Sequence, residues 1–394
     1  MNTNYNIDVS VVVVNYNGKK YIDELLASLQ NQISNNFTYE IVFVDNNSAD
    51  DSVKYIHQHW ADKIKNLKIV ESKENLGFAG GNNLGVKESQ GKYFVLLNND
   101  TKPNEDWLQN LYNFFINKEN IVIANSLLLF YYDYIKIKFH TQDKFFISNK
   151  IKINETEYII DNKFCRNLLY NQDTLTCFGH SEIYIPLING VRDYNIEINK
   201  ISGLEKDKVI IGESEYAFSS TININLSKEI IDNNKKTLVQ NAGSGVNENY
   251  DGYDIGFTDE YDEKYMKPYQ ITNSCGASMM MEKEKFMEAG GFDETFFMYY
   301  EDTDLSFRAR RNGGEIWYCP HSIVRHIHTG SSKEWSPFFI FHITKNKLLF
   351  VYKNISRKLY LKFLIKQVIH SIRGRNMNML KGSIASIKIL LKVL

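Results

Sequence analysis

Two apolar, strand-like segments of the chain end in acidic side chains. Tyr93–Leu97 is followed by two asparagines and then Asp100, and Ile41–Val44 is followed directly by Asp45. The carboxyl ends of buried parallel strands meet at the mouth of an open α/β sheet, where ligands bind. We therefore expect both carboxylates in one crevice, with Asp100 near a metal ion or phosphate and Asp45 accepting a hydrogen bond from a base or ribose. The alternative, that each Asp only caps the next helix, remains open.

Two loops add polar and glycine residues to the same edge. The first strand ends in the sequence Asn15-Tyr16-Asn17-Gly18, where a nucleotide base or ribose could lie. The segment Glu74–Asn83 opens a helix, and its free backbone N–H groups and helix dipole favour a phosphate or sugar. It lacks the GxGxxG spacing of dinucleotide-binding loops, and a plain glycine-rich turn explains it equally well.

A second group of ionisable residues lies near the end of the chain. Glu301, Asp302 and Asp304 begin a predicted helix, and three acids in four residues exceed what capping requires. Helix geometry directs at most two of them to one point and leaves another to hold a nearby arginine. His326 and His328 follow a predicted strand, where a neutral imidazole can join a carboxylate on a divalent cation, although a single histidine there is more often structural.

The composition is that of a globular protein with unevenly placed charge. The chain has 394 residues, 43% of them hydrophobic, and a net charge of −1. That length allows two domains, or one domain with a large insertion. The four cysteines lack metal-ligand spacing and no segment resembles a secretory signal, so we expect buried thiols in a reducing cytosol.

The pattern of secondary structure changes three times along the chain. Strands and helices alternate over 9–124, including a first helix with an apolar stripe that extends to Ile33, which predicts a largely parallel sheet covered on both faces. Residues 133–236 alternate like half-exposed antiparallel strands. The α/β character then returns, with a helix over 301–312 and a strand near Ile316–Cys319. We therefore divide the chain at 1–132, 133–236, 237–335 and 336–394.

The last of these segments, 336–394, has the pattern of a basic amphipathic helix. No acid follows Glu334, whereas twelve Lys and Arg lie between Lys345 and Lys392. Such a helix suits the interface of an anionic membrane, at roughly 1 kcal/mol for each basic residue near the lipid. A helix packed on the domain or on a dimer partner is the alternative. Lysines interrupt every stretch long enough to cross a bilayer, so no membrane span is predicted.

Taken in order, several of these segments resemble the family 2 glycosyltransferases, specifically the rhamnosyltransferase-like branch that builds bacterial surface polysaccharides. The matching residues are 11–18, 44–48, 75–83, 96–101, 290–294 and 301–305. Together they are spread over most of the chain outside 133–236. The resemblance implies a GT-A fold, an α/β, Rossmann-like domain with a mostly parallel sheet and helices on both faces, here carrying a β-rich insertion and a helical tail.

The resemblance also implies roles for individual residues. Asp302 is the general base, and Asp100 with His326 holds Mg²⁺ or Mn²⁺, while Asn98 replaces the first acid of the family's DXD-type metal motif. Glu301, Asp304 and His328 are secondary candidates. The segment His342–Lys347 resembles an aromatic, basic and Asn motif in which Lys345 replaces Arg. The donor nucleotide and sugar would be bound by Asn15, Tyr16, Asn17, Asp45, Asn47, Asn75, Gly77, Gly81, Asn82, Asn98, Asn99, Gly276 and Ala277.

The function implied is an inverting, metal-dependent transfer of a sugar from a nucleotide-diphosphate donor, dTDP-rhamnose or a UDP-hexose. The acceptor is a glycan, lipid-linked, in the synthesis of O-antigen, capsule or another surface polysaccharide. We expect a cytoplasmic protein, peripheral on the inner face of the bacterial membrane, with no nucleic-acid partner. Two alternatives are a catalytically silent module that binds sugar nucleotides or glycans, and a nucleotidyltransferase, whose lysine-bearing phosphate loop is missing after Val14.

Overall fold

The protein is described by a computed structural model. It describes residues 5–171, 173–188, 193–311, 313–327 and 334–393. These residues form two compact units. The first contains the described residues up to Tyr131, Gln240–Phe257 and those from Asp262 onward, and the second contains those of Tyr132–Val239 and Thr258–Tyr261.

The first part of the chain alternates strands and helices. Its strands are β1 (Ile7–Asn15), β2 (Tyr39–Asp45), β3 (Leu67–Glu71), β4 (Gly91–Asn98), β5 (Thr101–Pro103) and β6 (Ile121–Phe130). Its helices are α1 (Ile22–Gln30), α2 (Ser52–His59), α3 (Gly77–Glu88) and α4 (Trp107–Ile116). The predicted helix stripe ran too far, because α1 ends at Gln30 and Ile33 is 36% exposed beyond it.

Each face of this sheet is covered by helices because its strands are apolar on both sides. Alternate residues of β1, such as Val11 and Val13, pack in one core with Leu25 of α1 and Trp107 of α4. The other face is packed closely by α3. A Cβ added at Gly81 or Gly85 would lie 2.8 Å from Val14 or 2.3 Å from Val12, so only glycine lets the helix approach this near.

The second unit is rich in antiparallel strands. Its longest strands, β7 and β11, pair along nearly their whole length, and the buried residues of β7 largely alternate as the pleat requires. Ile135, Ile137 and Phe139 of β7 enter its core. The strands are β7 (Tyr134–Ser148), β8 (Lys150–Ile153), β9 (Thr156–Ile159), β10 (Cys165–Tyr170), β11 (Thr174–Pro186), β12 (Tyr194–Ser202), β13 (Lys208–Ile211), β14 (Ser214–Ala217), β15 (Thr221–Leu226) and β16 (Lys235–Lys236), and α5 is Lys228–Asn234.

The chain then adds further strands and the remaining helices. The strands are β17 (Val239–Asn241), β18 (Ser244–Val246), β19 (Gly252–Asp254), β20 (Tyr269–Ile271), β21 (Ser278–Glu282) and β22 (Glu315–His326). The helices are α6 (Lys283–Glu288), α7 (Glu301–Arg310), α8 (Pro337–Phe350), α9 (Arg357–Arg373) and α10 (Met377–Val393), with a π-helical turn at Val351–Ile355 between α8 and α9.

The main sheet of the first unit is mixed rather than largely parallel. Its central path runs β20-β22-β6-β21-β4-β1-β2-β3. β1 is parallel to β2 and β4, as predicted, but β21 lies antiparallel between β4 and β6. The strand predicted at Ile316–Cys319 is also longer, because β22 continues to His326 alongside β6 and β5.

The helices after Pro337 differ in burial. α8 belongs to the core of the first unit, where Lys345, Asn346 and Leu349 are buried. α9 and α10 expose apolar side chains such as Ile365 (60%) and Leu391 (67%). Among the helices of the described residues, none combines the length and the apolar content needed to span a bilayer.

Candidate functional site

The ends of β4 and β22 bring Asp100 and His326 together. β5, which follows Asp100 directly, pairs with β22 so that Thr101 lies opposite His326, and the N–H of Ile327 donates to the carbonyl of Asp100 at 3.0 Å. Oδ1 of Asp100 is 3.1 Å from Nε2 of His326. Two residues 226 positions apart thus form a close pair because of strand register.

The tautomer of His326 is fixed by a residue that the sequence did not indicate. Nδ1 of His326 lies 2.6 Å from Oε1 of Gln240, and an amide oxygen only accepts, so Nδ1 carries the proton. Nε2 then accepts from Nδ2 of Asn98 at 3.2 Å and lies beside the carboxylate of Asp100. These two acceptor atoms lie close enough for one cation to contact both.

The Asp100–His326 pair fits part of a site for a divalent cation. Ligands at about 2.1 Å from an octahedral Mg²⁺ lie about 3 Å from each other, which matches the 3.1 Å separation. Over the described ranges, no group of three or more His, Cys, Asp or Glu is placed to hold a metal, and His328 lies outside them. The donor set is therefore that of an ion held by few protein ligands and completed by phosphate oxygens and water.

Asp302 is half-buried near the start of α7 and is held by backbone N–H groups. Its Oδ2 accepts from the N–H of Gly276 at 3.1 Å, and its Oδ1 from that of Thr303 at 2.6 Å. Burial raises the pKa of Asp302 above its ordinary value, although these hydrogen bonds oppose the shift. Tyr299 and Tyr300, just before the helix, have left-handed φ angles of 71° and 70°, which turn the chain into the helix.

The segment before Asp302 is held in place by α8. Nδ2 of Asn346 lies within 2.7–2.9 Å of the carbonyl oxygens of Phe296, Met298 and Tyr299. Nζ of Lys345 donates to the carbonyl oxygen of Thr295 at 2.9 Å, and burial lowers the pKa of Lys345 to about 8. The segment His342–Lys347 thus supports the loop that carries the predicted base.

A cavity of about 260 Å³ joins these groups. Asp100 and His326 line it together with Asp302, and so do Gly276, Ala277 and Glu301. Burial raises the pKa of Glu301 well above its usual range, and the neighbouring Asp302 adds to this shift. The structure thus brings the predicted base, the predicted metal pair and the small residues 276–277 to one cleft, which we call the acidic cleft.

A larger cavity, of about 470 Å³, adjoins the acidic cleft. The two share Phe78, Asn98 and Met298 in their linings. The larger one is otherwise lined by the predicted donor-binding residues Tyr16, Asn75, Gly77 and Asn99, and by Val14, Asn46, Phe297, Ser336 and Phe338. Its aromatic and amide side chains suit a flat heterocycle with polar edges, and we call it the aromatic cavity.

Other predicted donor residues lie behind these cavities and line neither of them. Asp45 is 3% exposed, and its carboxylate accepts from Nδ2 of Asn15 at 3.1 Å and from the N–H of Ser48 at 2.9 Å. Oδ1 of Asn15 in turn accepts from Nδ2 of Asn99 at 2.8 Å. Asn17 and Asn47 have left-handed backbones in the adjoining loops. These hydrogen bonds hold the side chain of Asn99, which lines the aromatic cavity, in place.

The remaining predicted residues have packing contacts. Gly81 packs against Val14, and Nδ2 of Asn82 donates to the carbonyl of Phe78 within α3. Asp304 is 1% exposed, pairs with Arg308 at 2.7 Å and accepts from Nδ2 of Asn354 at 2.6 Å. One acid of the 301–304 cluster therefore holds an arginine, as helix geometry had predicted, and Asp304 lines neither cavity.

The acidic cleft also contains Asp254, which sequence reasoning missed. Asp254 ends β19 and is exposed as a residue, while partial desolvation of its carboxyl group at the cleft, followed by the charge of Asp302, raises its pKa. Neither Gln240 nor Asp254 belongs to a strong hydrophobic pattern. The only signal was a polar, glycine-rich stretch after residue 239, which resembles an ordinary loop.

Comparison with known proteins identifies two family models in the chain. Residues 10–179 match "Glycosyl transferase family 2", and residues 261–331 match "N-terminal domain of galactosyltransferase". The first contains Asp45 and Asp100, and the second contains Asp302 and His326. The two matches therefore include the main residues of the site.

Curated relatives are similar to part of the chain. An uncharacterized glycosyltransferase of Haemophilus influenzae is 31% identical over 30% of this chain and 36% of its own length. A poly(ribitol-phosphate) beta-glucosyltransferase of Bacillus spizizenii is 34% identical over 28% of this chain and 17% of its own. The chain thus spans about a third or less of these relatives.

Among solved structures, GalNAc-T7 with UDP, GalNAc and Mn²⁺ is similar in fold. The two sequences are 14% identical, and the TM-score is 0.52. The superposition covers 93% of this chain and 50% of the GalNAc-T7 chain. At this identity the likeness concerns the fold alone, and it agrees with the mixed sheet and flanking helices described above. Residues 10–179 are therefore similar to the glycosyltransferase family 2, and the fold of the chain is that of the GT-A glycosyltransferases.

Proposed function

We propose that this protein transfers a sugar from a nucleotide-diphosphate donor to a hydroxyl group of a glycan acceptor, with inversion at the anomeric carbon. The observation that carries the proposal is the acidic cleft, where Asp302, with its raised pKa, shares one cavity with the Asp100–His326 pair. A proton acceptor and a cation site in one cleft are the two requirements of this reaction.

The donor spans both cavities in this proposal. Its base lies in the aromatic cavity near Tyr16 and Phe297, and its diphosphate passes Asn98 and Asn99 toward Asp100. The network of Asn15 and Asp45 fixes that path from behind. UDP-hexoses are the first donors to test, because a neighbour of the same fold was crystallised with UDP, and dTDP-rhamnose is the second.

Asp302 acts as the general base. Its carboxylate takes the proton of the acceptor hydroxyl while that oxygen forms a bond to the anomeric carbon, and the bond from this carbon to the diphosphate oxygen breaks. Asp100 and His326 would hold a divalent cation, Mg²⁺ or Mn²⁺, which would supply charge neutralisation for the departing diphosphate. Attack from the face opposite the leaving group gives the inverted anomer.

The acceptor is a glycan of a bacterial surface polymer, and the protein works at the inner face of the cytoplasmic membrane. Relatives are named for teichoic acid synthesis, among them a minor teichoic acid biosynthesis protein of Bacillus subtilis. α9 and α10 support the membrane location, since Ile365, Ile372 and Leu391 are exposed among lysines. We call this exposed face of α9 and α10 the basic-apolar face, and it suits the headgroup region of anionic lipid.

The test is an assay of the full chain with labelled UDP-hexoses and dTDP-rhamnose in the presence of Mn²⁺. We expect one donor to bind, to release its nucleoside diphosphate and to give a glycoside of inverted configuration by NMR. Asp302→Asn should lower transfer by about 10²- to 10⁴-fold with donor affinity retained. Glu288→Gln, an exposed side chain on α6, is the charge-matched control and should stay fully active.

Two results would contradict the proposal. The first is full transfer by the Asp302→Asn variant. The second is donor binding without turnover by the wild-type chain toward every acceptor and toward water, which would support the silent binding module instead.

A further inference from the structure

One carboxylate of the acidic cleft has an oxygen available for a ligand. Oδ1 of Asp254 accepts from Nδ2 of Asn241 at 2.6 Å and from Oγ of Ser244 at 2.9 Å. Within the described residues, no hydrogen bond reaches its Oδ2. The side chain is thus fixed in one orientation while one acceptor atom stays open to the cleft that it lines.

Two buried neighbours in the same lining also have unpaired polar atoms. Gln240 is 2% exposed and Glu301 is 4% exposed, and neither Nε2 of Gln240 nor Oε2 of Glu301 has a hydrogen-bond partner among the described residues. Buried polar atoms without partners are costly, and a ligand that pairs with them recovers this cost. Unpaired donor and acceptor atoms in one lining match the hydroxyl groups of a sugar, each of which both donates and accepts.

The charge of the lining limits what kind of group can enter. Neither lysine nor arginine occurs among the described residues that line the cleft, and His326 is occupied by Asp100 and Gln240. A phosphate beside the reacting hydroxyl would be repelled by this lining, whereas a neutral hydroxyl would not. The acids of the lining are Asp100, Asp254, Glu301, Asp302 and Glu334.

We infer that Asp254 is an acceptor-binding residue, whose Oδ2 accepts a hydrogen bond from a neutral sugar hydroxyl next to the one that Asp302 deprotonates. This inference rests on the proposed function and makes it more specific. It selects an uncharged sugar as the acceptor unit, with Gln240 and Glu301 as its further partners. Asp254 would thus determine acceptor specificity.

The variant that tests the inference is Asp254→Asn. Its Oδ1 can still accept from Asn241 and Ser244, while an NH₂ group replaces the open oxygen. We would use p-nitrophenyl glucoside, galactoside and N-acetylglucosaminide as acceptors, with the donor found for the wild type. We expect kcat/KM for the acceptor to fall about 10- to 100-fold and the Kd of the donor, by calorimetry, to stay within about twofold. Glu248→Gln, exposed in the same hairpin, is the matched control.

Deoxy acceptors give a second measurement that does not depend on the stability of the variant. Removing the hydroxyl that binds Asp254 should weaken transfer by the wild type and cause no further loss in Asp254→Asn. The 6-phosphates of the same glycosides should be poorer acceptors than the neutral forms.

The failures of the two proposals are distinguishable. Efficient transfer by Asp254→Asn with an unchanged acceptor KM, or equal use of phosphorylated acceptors by the wild type, would overturn this inference alone. A wild-type chain that binds no nucleotide sugar, or transfers to none of these acceptors or water, would overturn the proposed function and this inference with it.

Discussion

Oε1 of Gln240 lies 2.6 Å from Nδ1 of His326, and this hydrogen bond decides which ring nitrogen meets Asp100. Because the proton stays on Nδ1, the lone pair of Nε2 is directed to the place where a cation would sit. Partners of this kind orient histidine ligands at metal sites and usually change affinity by 10- to 100-fold when lost.

We therefore expect Gln240→Leu to weaken Mn²⁺ binding in the presence of nucleoside diphosphate by about 10- to 100-fold. Gln240→Glu, which keeps an oxygen acceptor, should retain most of the affinity. Titration of free Mn²⁺ followed by electron paramagnetic resonance measures this directly. Equal affinities for the Leu variant and the wild type would mean that His326 is not a ligand or needs no orientation.

The pH dependence of transfer follows from the burial of Asp302. Since burial raises its pKa, the protonated and inactive form persists to a higher pH than for an ordinary aspartate. The acidic limb of kcat/KM should therefore lie above pH 3.8, and the residual activity of Asp302→Asn should lack this limb. A rate profile over pH 4.5–9 with a saturating donor provides the measurement.

A second consequence of the same shift in the pKa of Asp302, and part of the same prediction, is a gain in stability when the charge is removed. The folded state holds the proton of Asp302 more tightly than the unfolded chain, so this group stabilises the fold at low pH and loses that contribution as pH rises through its folded pKa. Asp302→Asn should thus raise Tm at pH 8 more than at pH 5, by on the order of 2–4 °C for each kcal/mol relieved. Calorimetry that finds a lower Tm at both values would contradict the direction of the shift.

A third prediction concerns Asn346, whose amide group holds the carbonyls of Phe296, Met298 and Tyr299. Asn346→Leu fills a similar volume but leaves these buried oxygens without a donor, at about 1–3 kcal/mol for an unsatisfied group. Because this loop leads into Asp302, a displacement near 1 Å would also slow transfer by about 10²-fold. Denaturant unfolding and initial rates test both effects, with Asn378→Leu on α10 as the control.

The basic-apolar face gives a fourth prediction. Charge reversal at Lys362, Lys366 and Lys388 should weaken binding to phosphatidylglycerol vesicles by well over tenfold, at about 1 kcal/mol for each lysine near the lipid. The same change at Lys144, Lys206 and Lys228, which are exposed in the second unit, is the control for net charge. Co-sedimentation that is unaffected by the first triple change, or equal binding to neutral phosphatidylcholine vesicles, would argue against a membrane role.

Much of the fold was readable from local patterns. The strands that lead to Asp45 and Asp100 were predicted because each is a short apolar run between turn residues, and the GT-A fold is confirmed. The antiparallel direction of β21 could not be predicted, because an apolar run such as Ser278–Met281 suits a strand of either direction. Strand direction depends on distant pairing, which a single sequence does not encode locally.

The residues of the site also include some that the sequence indicated and some that it did not. Asp100, the acidic cluster of Asp302 and the histidines near His326 were noticed because they follow recognisable strands or open a helix. The choice of Asp302 and His326 within these groups came from the family resemblance, and the structure places all three residues in one cleft. Gln240 and Asp254 were missed since they lie in short strands and loops with no periodic pattern. The hydrogen bonds of Asp45 to Asn15 and Ser48 could not be predicted either, because they depend on how separate segments of the chain meet.

The position of β21 has a consequence for dissecting the protein. β4 pairs with β1 on one side, and on the other only with β21, a strand that the chain supplies about 180 residues later. A fragment ending at residue 179 would leave the backbone of β4 without its neighbour, as a long apolar edge open to association with other chains. We therefore do not expect the segment that matches the family 2 model to fold alone, and expressing it should yield aggregates rather than a small nucleotide-binding protein.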